Sequence, residues 1–214
     1  MRGLLRRKAW DIDAILGRSH FAVEDLAFNS ILIRANSLLK KIAKDIAHDL
    51  PAELLENMEK SEEALDKLWD GYSSQYYSRN FVTHKLIKEP SIATLLPLYS
   101  GAVTKERAAE LVKMLNDQKY FKTTYPVASV PLMSGNYKEL GYWQGPTWIN
   151  TNWLIIDGLE RYGYQKEADH IRQQTVSLIE QHGSYEYFSA KNGDPAGAKD
   201  FSWTPGLDST GLGR

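Results

Sequence analysis

From Ala27 to Ile46 apolar residues return at every third or fourth position, Ala27, Ile31, Ala35, Leu38, Ile42 and Ile46, while Lys40, Lys41, Lys44 and Asp45 hold the other side. That step matches the turn of an α-helix and excludes a strand, whose side chains alternate. The spacing predicts a long amphipathic helix over about 22–48 with this stripe facing inward. Pro51 suits the first turn of a second helix over 52–70, in which Leu54, Leu55, Met58, Leu65, Leu68 and Trp69 form the buried stripe until Gly71. Two helices joined by so short a link make a hairpin.

The pattern recurs. Ser91 and Thr104 are placed to cap helices over 91–98 and 104–117, the latter burying Ala108, Leu111, Val112 and Leu115. Pro146 stands where a helix over 146–162 begins, carrying Trp148, Asn152, Ile155, Ile156 and Leu159. A last helix over 165–181 buries Ala168, Ile171, Val176 and Ile179 before Gly183 stops it. Between these, Tyr72 to Asn80 breaks the helical period, and Phe81-Val82-Thr83 reads as a short strand or an extended linker. Residues 118–145, with Pro126, Pro131, Gly135, Gly141 and Gly145, form a long loop, of the kind that usually serves as a lid or binding loop. Six helices in three hairpin-like pairs predict an all-α single domain over 1–214. No fixed-period repeat supports a solenoid, and a closed or half-closed ring of helix pairs stays open.

Composition narrows the chemistry. A chain of 214 residues buries about 70% of its unfolded surface without staples. The absence of cysteine excludes disulfides, thiolate zinc sites, iron–sulfur clusters and a cysteine nucleophile. A formal charge of -1 gives no nucleic-acid or membrane-surface footprint, so a small neutral partner fits better. Asp11 and Asp13 interrupt the apolar stretch a secretory signal needs, and no apolar run approaches a bilayer span, so a soluble cytoplasmic protein is expected. His20, His48, His84, His170 and His182 are scattered without ligand spacing, and no phosphate-cradling glycine loop or nucleophile elbow occurs. No metal or cofactor is expected.

The aromatic surplus, with 6 Trp and 12 Tyr, is partly local. In Gly141-Tyr142-Trp143-Gln144-Gly145-Pro146-Thr147-Trp148, flat rings with polar edges stand at a loop-to-helix turn, the surface that a sugar's C–H face and hydroxyls require. Packing around a tight turn explains the same residues equally well. In Gly183-Ser184-Tyr185-Glu186-Tyr187-Phe188, an extended segment sets Glu186 and Phe188 on one face and Tyr185 and Tyr187 on the other. A carboxylate among rings suits general-base work, because partial desolvation strengthens it as a base. An exposed Glu in a short strand is the blander explanation. Asn192-Gly193-Asp194-Pro195 marks a turn, after which Asp200-Phe201-Ser202-Trp203-Thr204 is placed to fold back and add Trp203 to a pocket mouth.

Tyr-Trp-x-Gly-Pro-x-Trp (Tyr142 to Trp148), Tyr-Glu-Tyr-Phe (Tyr185 to Phe188), Gly-Ala-x-x-Phe-Ser-Trp (Gly197 to Trp203) and the helix start Phe21-Ala22-Val23-Glu24-Asp25-Leu26-Ala27-Phe28-Asn29 occur in that set of motifs across most of the chain. Together they resemble the six-hairpin glycosidases of glycoside hydrolase family 63, especially the mannosylglycerate and glucosylglycerate hydrolase branch. The resemblance implies an (α/α)6 barrel of twelve helices, a general-acid Asp, a general-base Glu, and inverting cleavage of an α-glycosidic bond in a small carbohydrate. It implies Glu186 as the base and Tyr142, Trp143, Gln144, Gly145, Trp148 and Trp203 as substrate-binding residues.

Two departures shape the expectation. The family's acid lies in a Gly-x-Asp-Asn-Ser-Pro segment upstream of Phe21, and nothing like it occurs here; Asp11 and Asp13 lack the motif, and Asp25 reads as a helix-start residue. The family continues past Phe-Ser-Trp into a final helix, whereas Pro205-Gly206 and Asp208-Ser209-Thr210-Gly211-Leu212-Gly213 write no amphipathic helix. The expected chain is the C-terminal part of the barrel, about half its helices, without the acid. Half a ring leaves apolar helix faces uncovered, so self-association is expected. A non-catalytic helical carbohydrate-binding or scaffold fragment, and a helical interaction protein whose aromatics are only core, stay open beside it.

Overall fold

The computed structural model describes residues 11–17, 19 and 22–204. Phe21, the side chain of Asp13 and the 205–214 tail lie outside the described residues.

Among the described residues the chain forms seven α-helices: α1 (Ile12–Leu16), α2 (Leu26–Asp45), α3 (Ala52–Leu65), α4 (Pro97–Ser100), α5 (Lys105–Leu115), α6 (Ile149–Arg161) and α7 (Gln165–His182). The local chemistry sets their ends. Asp25 accepts a 2.8 Å hydrogen bond from the Phe28 N–H to cap α2, and Thr104 accepts from the Arg107 N–H to cap α5. Ser91 caps a short 3-10 turn (Ile92–Leu95) that runs into α4, which stops at Gly101 in the left-handed conformation.

Helices α2, α4 and α6 pack side by side in that order, with α3 and α7 completing antiparallel hairpins on α2 and α6. α6 comes close to α4 at Gly158, where an added Cβ would lie 2.7 Å from backbone atoms of Leu98 and Tyr99. Only glycine lets α6 cross α4 at that distance. Around this crossing Leu26, Leu95, Leu98, Leu111, Ile155, Leu159 and Phe188 form a continuous buried core, each side chain contributing about 1.5–3 kcal/mol.

The links inside the hairpins are short, and the links between hairpins are long and touch one another. Ile92 N–H donates to Ser129 O, Tyr125 N–H to Ala190 O, and Thr147 N–H to Phe188 O. The long links therefore gather at one end of the helices.

Those links contain short strands, of which the sequence reading anticipates the one at Tyr185–Phe188, as an extended segment, and not the others. β1 (Val23–Glu24) pairs with β4 (Arg79–Asn80), β2 (Trp69–Asp70) with β3 (Gln75–Tyr76), and β5 (Tyr185–Phe188) with β6 (Pro195–Lys199), all antiparallel. Phe81-Val82-Thr83 is neither strand nor linker but a turn, because the Asn80 side chain accepts from the Val82 and Thr83 N–H groups.

Two further expectations are corrected. α6 begins at Ile149 rather than Pro146, because the Thr147 backbone is occupied by a bridge to Phe188. The stripe expected to face inward from α2 is largely exposed, with Ile42 and Ile46 at 55% and 67%. Leu26, Ser30, Ile33 and Ala43 are buried instead. The helix is apolar on two opposite arcs, and α4 covers only one of them.

Candidate active site

Three of the long links converge at the gathered end. The 126–129 backbone is anchored from below by Asn152 on α6. Its Nδ2 donates to Pro126 O at 2.8 Å and to Thr175 Oγ1 at 2.9 Å, and its Oδ1 accepts from Val127 N–H at 3.0 Å. That segment lies against 145–147: Ser129 N–H donates to Pro146 O, and Gly145 N–H donates to Ser129 Oγ at 2.8 Å. Thr147 in turn exchanges two backbone hydrogen bonds with Phe188 of β5. The two motifs that carry Trp148 and Glu186 are thus tied together by a ladder that is buried throughout.

Gly145 is needed for packing. A Cβ there would run into the Lys138 carbonyl oxygen, which caps the small hairpin carrying Tyr142 and Trp143. With the hairpin folded down, Trp143 stacks flat on Trp148, ring centroids 3.9 Å apart at 4°. Tyr142 meets Trp148 edge-on at 5.2 Å while its carbonyl accepts the Trp148 indole N–H at 3.1 Å. Tyr187 closes against both, 5.0 Å from Trp148 and 5.8 Å from Tyr142.

Residues 200–204 fold back across β5, Phe201 N–H donating to Ser184 O and Thr204 Oγ1 to Tyr185 O. This places Trp203 6.4 Å from Trp148. Tyr142, Trp143 and Trp203 all keep an exposed face.

Glu186 lies at the edge of this platform, half-buried. Its Oε2 accepts a hydrogen bond from Ala198 N–H of β6 at 3.1 Å, and among the described residues no donor bonds its other oxygen. Gly197 makes the room, in the left-handed conformation at φ 74°. A Cβ on it would lie 2.6 Å from the Glu186 carboxylate and 2.7 Å from the Tyr187 ring. The carboxylate and that ring therefore share one niche.

The residues named from sequence are brought together, with changed parts. Trp148, placed by motif in the pocket lining, is 1% exposed and lies beneath Trp143 as its support. Gln144 is exposed and, among the described residues, bonds only through its backbone, accepting from Lys138 N–H and donating to Gly141 O. Tyr187, Ser129 and Gly197 belong to the assembly and are not among the sequence-named site residues. The Tyr-Glu-Tyr-Phe pattern offered the signal for Tyr187, but nothing local marks Ser129.

Next to the platform, the Tyr137 ring lies under Lys191 Nζ at 4.9 Å, and burial pushes its phenol above the usual range. Glu139 accepts from Ser189 Oγ at 2.8 Å just past β5. No group of three or more metal-ligating side chains occurs among the described residues, and no described helix is long and apolar enough to cross a membrane.

The family model for the mannosylglycerate hydrolase MGH1-like glycoside hydrolase domain matches residues 2–204. The chain belongs to this family. Among MGH1-like relatives, mannosylglycerate hydrolase of Rubrobacter radiotolerans is 34% identical over 87% of this chain and 43% of its own length. That of Thermus thermophilus is 33% identical over 95% of this chain and 49% of its own. The crystal structure of the GH63 mannosylglycerate hydrolase from Thermus thermophilus in complex with glucose superposes with a TM-score of 0.89. It covers 96% of this chain, which covers 52% of that one, at 33% identity. The MGH1-like chain thus spans about half the length of the curated relatives it matches.

Proposed function

We propose that this chain forms the C-terminal part of an (α/α)6 barrel, about half its helices, in an inverting hydrolase of an α-linked glycosylglycerate. The single observation that carries the reading is the Glu186 carboxylate, held by one oxygen at the edge of an exposed aromatic platform. The names of the relatives, mannosylglycerate hydrolase and glucosylglycerate hydrolase, support the substrate class, as does a related structure described as a complex with Tris and D-glycerate.

In this reading Tyr142, Trp143 and Trp203 take the apolar face of the sugar. The Ala198 N–H fixes one Glu186 oxygen, and the other takes a proton from a water. That water forms its bond to the anomeric carbon from the side opposite the leaving oxygen, as the glycosidic C–O bond breaks. Inversion requires roughly 6.5–9.5 Å between base and acid to admit the water. The leaving oxygen takes its proton from a general acid outside the described residues. Asp11 accepts from Ala14 N–H and Asp25 caps α2, so both serve as helix starts.

The test is a chimera in which the unmatched part of the Thermus thermophilus relative precedes this chain. It should hydrolyse mannosylglycerate or glucosylglycerate, with the β-anomer of the sugar appearing first by NMR. Glu186→Gln should lower turnover about 10²–10⁴-fold while calorimetric sugar binding persists. Near wild-type turnover by that variant would overturn the assignment of Glu186. Sugar binding with no turnover in any chimera would favour a carbohydrate-binding fragment.

A further inference from the structure

The hairpin of residues 138–144, which carries Tyr142 and Trp143, has few ties to the rest of the chain. Its backbone closes on itself, Lys138 N–H donating to Gln144 O and Gln144 N–H to Gly141 O. Its entry is anchored away from the aromatic platform, where Asn136 Nδ2 donates to Glu89 Oε1 at 3.0 Å. At its tip Tyr142 stands in the left-handed region at φ 59°, a conformation that a bulky residue keeps only when its surroundings hold it there. Trp148 supplies one hold, through its stack on Trp143 and its indole bond to Tyr142 O.

Glu139 supplies the other. Among the described residues it is the one side chain of 138–144 that hydrogen-bonds to another segment, and its partner is the Ser189 hydroxyl at 2.8 Å. Ser189 is fully buried, and its oxygen already accepts the Lys191 and Asn192 N–H groups, each at 3.2 Å. A hydroxyl has two acceptor positions and one proton. With both positions taken by the turn after β5, the proton is left for Glu139 alone. The turn itself is closed by Ser189 N–H donating to Asp194 O and Gly193 N–H to Ser189 O, so the β5–β6 backbone fixes where the hydroxyl stands.

Glu139 stands three positions before Tyr142, and Ser189 three positions after Glu186. One hydrogen bond therefore joins the segment bearing the exposed rings to the segment bearing the carboxylate. The exposed Lys191, with its Nζ 4.9 Å from the centre of the Tyr137 ring, adds a weaker contact between the same two segments.

We propose that Glu139 is a positioning residue for sugar recognition: through the Ser189 hydroxyl it holds the Tyr142–Trp143 rings in register with Glu186, and it takes no part in proton transfer. The proposal rests on the glycoside hydrolase reading of this site, but the link itself is read by spectroscopy, so the two fail separately.

The link is tested in the purified chain by near-UV circular dichroism. Glu139→Ala and Ser189→Ala should each remove at least about half of the Trp143–Trp148 signal, and the double variant should lose no more than either alone. Glu139→Gln should keep the signal, because its amide oxygen still accepts the hydroxyl proton. Unchanged far-UV spectra separate loss of the stack from unfolding. A signal unchanged in Glu139→Ala, additive losses in the double variant, or an equal loss in Glu139→Gln overturns the proposal.

In the chimera with the Thermus thermophilus relative, Glu139→Ala should raise KM about 10-fold and leave kcat within about 2-fold, with Glu139→Gln near the parent in both. A kcat lost equally in Glu139→Ala and Glu139→Gln would make the carboxylate a proton donor or acceptor, which overturns the positioning role. A chimera without turnover counts against the hydrolase reading alone, and the spectra then decide whether the link stands.

Discussion

Replacing Asn152 by Ala tests whether the site is held from below. The side chain is fully buried and makes three hydrogen bonds, to Val127 N–H, Pro126 O and Thr175 Oγ1. In the variant the Thr175 hydroxyl can turn to a carbonyl one turn back on α7, so its loss is small. The Val127 N–H and Pro126 C=O are left buried without partners at about 1–3 kcal/mol each. With the void left by the amide, the expected destabilisation is about 3–5 kcal/mol. That is a large share of the roughly 5–15 kcal/mol available to a domain.

Equilibrium urea unfolding measures the loss. Thr175→Val gives the control, because it removes one Asn152 partner and should cost about 1–2 kcal/mol. The double variant should cost about 1 kcal/mol less than the sum of the single changes. Because 126–129 lies under 145–147, the near-UV signal of the Trp143–Trp148 stack should also weaken before any urea is added. A loss below about 1 kcal/mol with an unchanged near-UV spectrum would refute the reasoning, placing the 126–129 segment under other control.

Gly145→Ala forces Lys138 and its hairpin outward, at a cost of about 1–3 kcal/mol, and should abolish the Trp143–Trp148 near-UV signal; an unchanged spectrum would contradict the packing described. Asp70 is held below the usual carboxylate range, first by the Ser73 hydroxyl and then by Lys88. Its contribution is therefore present above the ordinary carboxylate pKa and lost as pH falls through the folded value, so Asp70→Asn should flatten the acid limb of a melting-temperature profile. Asp157 has the opposite sign: burial pushes it up despite Arg34, so stability falls as pH rises from the ordinary carboxylate value through the raised one. Asp157→Asn should remove that slope, and a profile unchanged by both substitutions would refute these assignments.

The helices were legible because their signal is carried by many residues. Ala108, Leu111, Val112 and Leu115 repeat at helical spacing and are all buried on α5. The strands β1 to β4 are two residues long, too short for alternation to register, and exist only because distant backbones meet. The aromatic motifs gave the address of the candidate site but not its layering. Whether Trp148 or Trp143 faces solvent depends on the hairpin that Gly145 allows to fold down.

The sequence by itself determined that the chain is helical, that its aromatics cluster around two loop-to-element turns, and that Glu186 accompanies them. Periodicity and local motifs report on the chain's own neighbours, and those features are local. Only the tertiary structure decided which arc of α2 is covered, because both arcs carry apolar residues at helical spacing and α4 can occupy just one. It alone brought Gly197 against Glu186 and Tyr187, since that niche depends on the β5–β6 register rather than on any residue's identity. Contacts between segments far apart in sequence fix such choices, and no period within one segment encodes them.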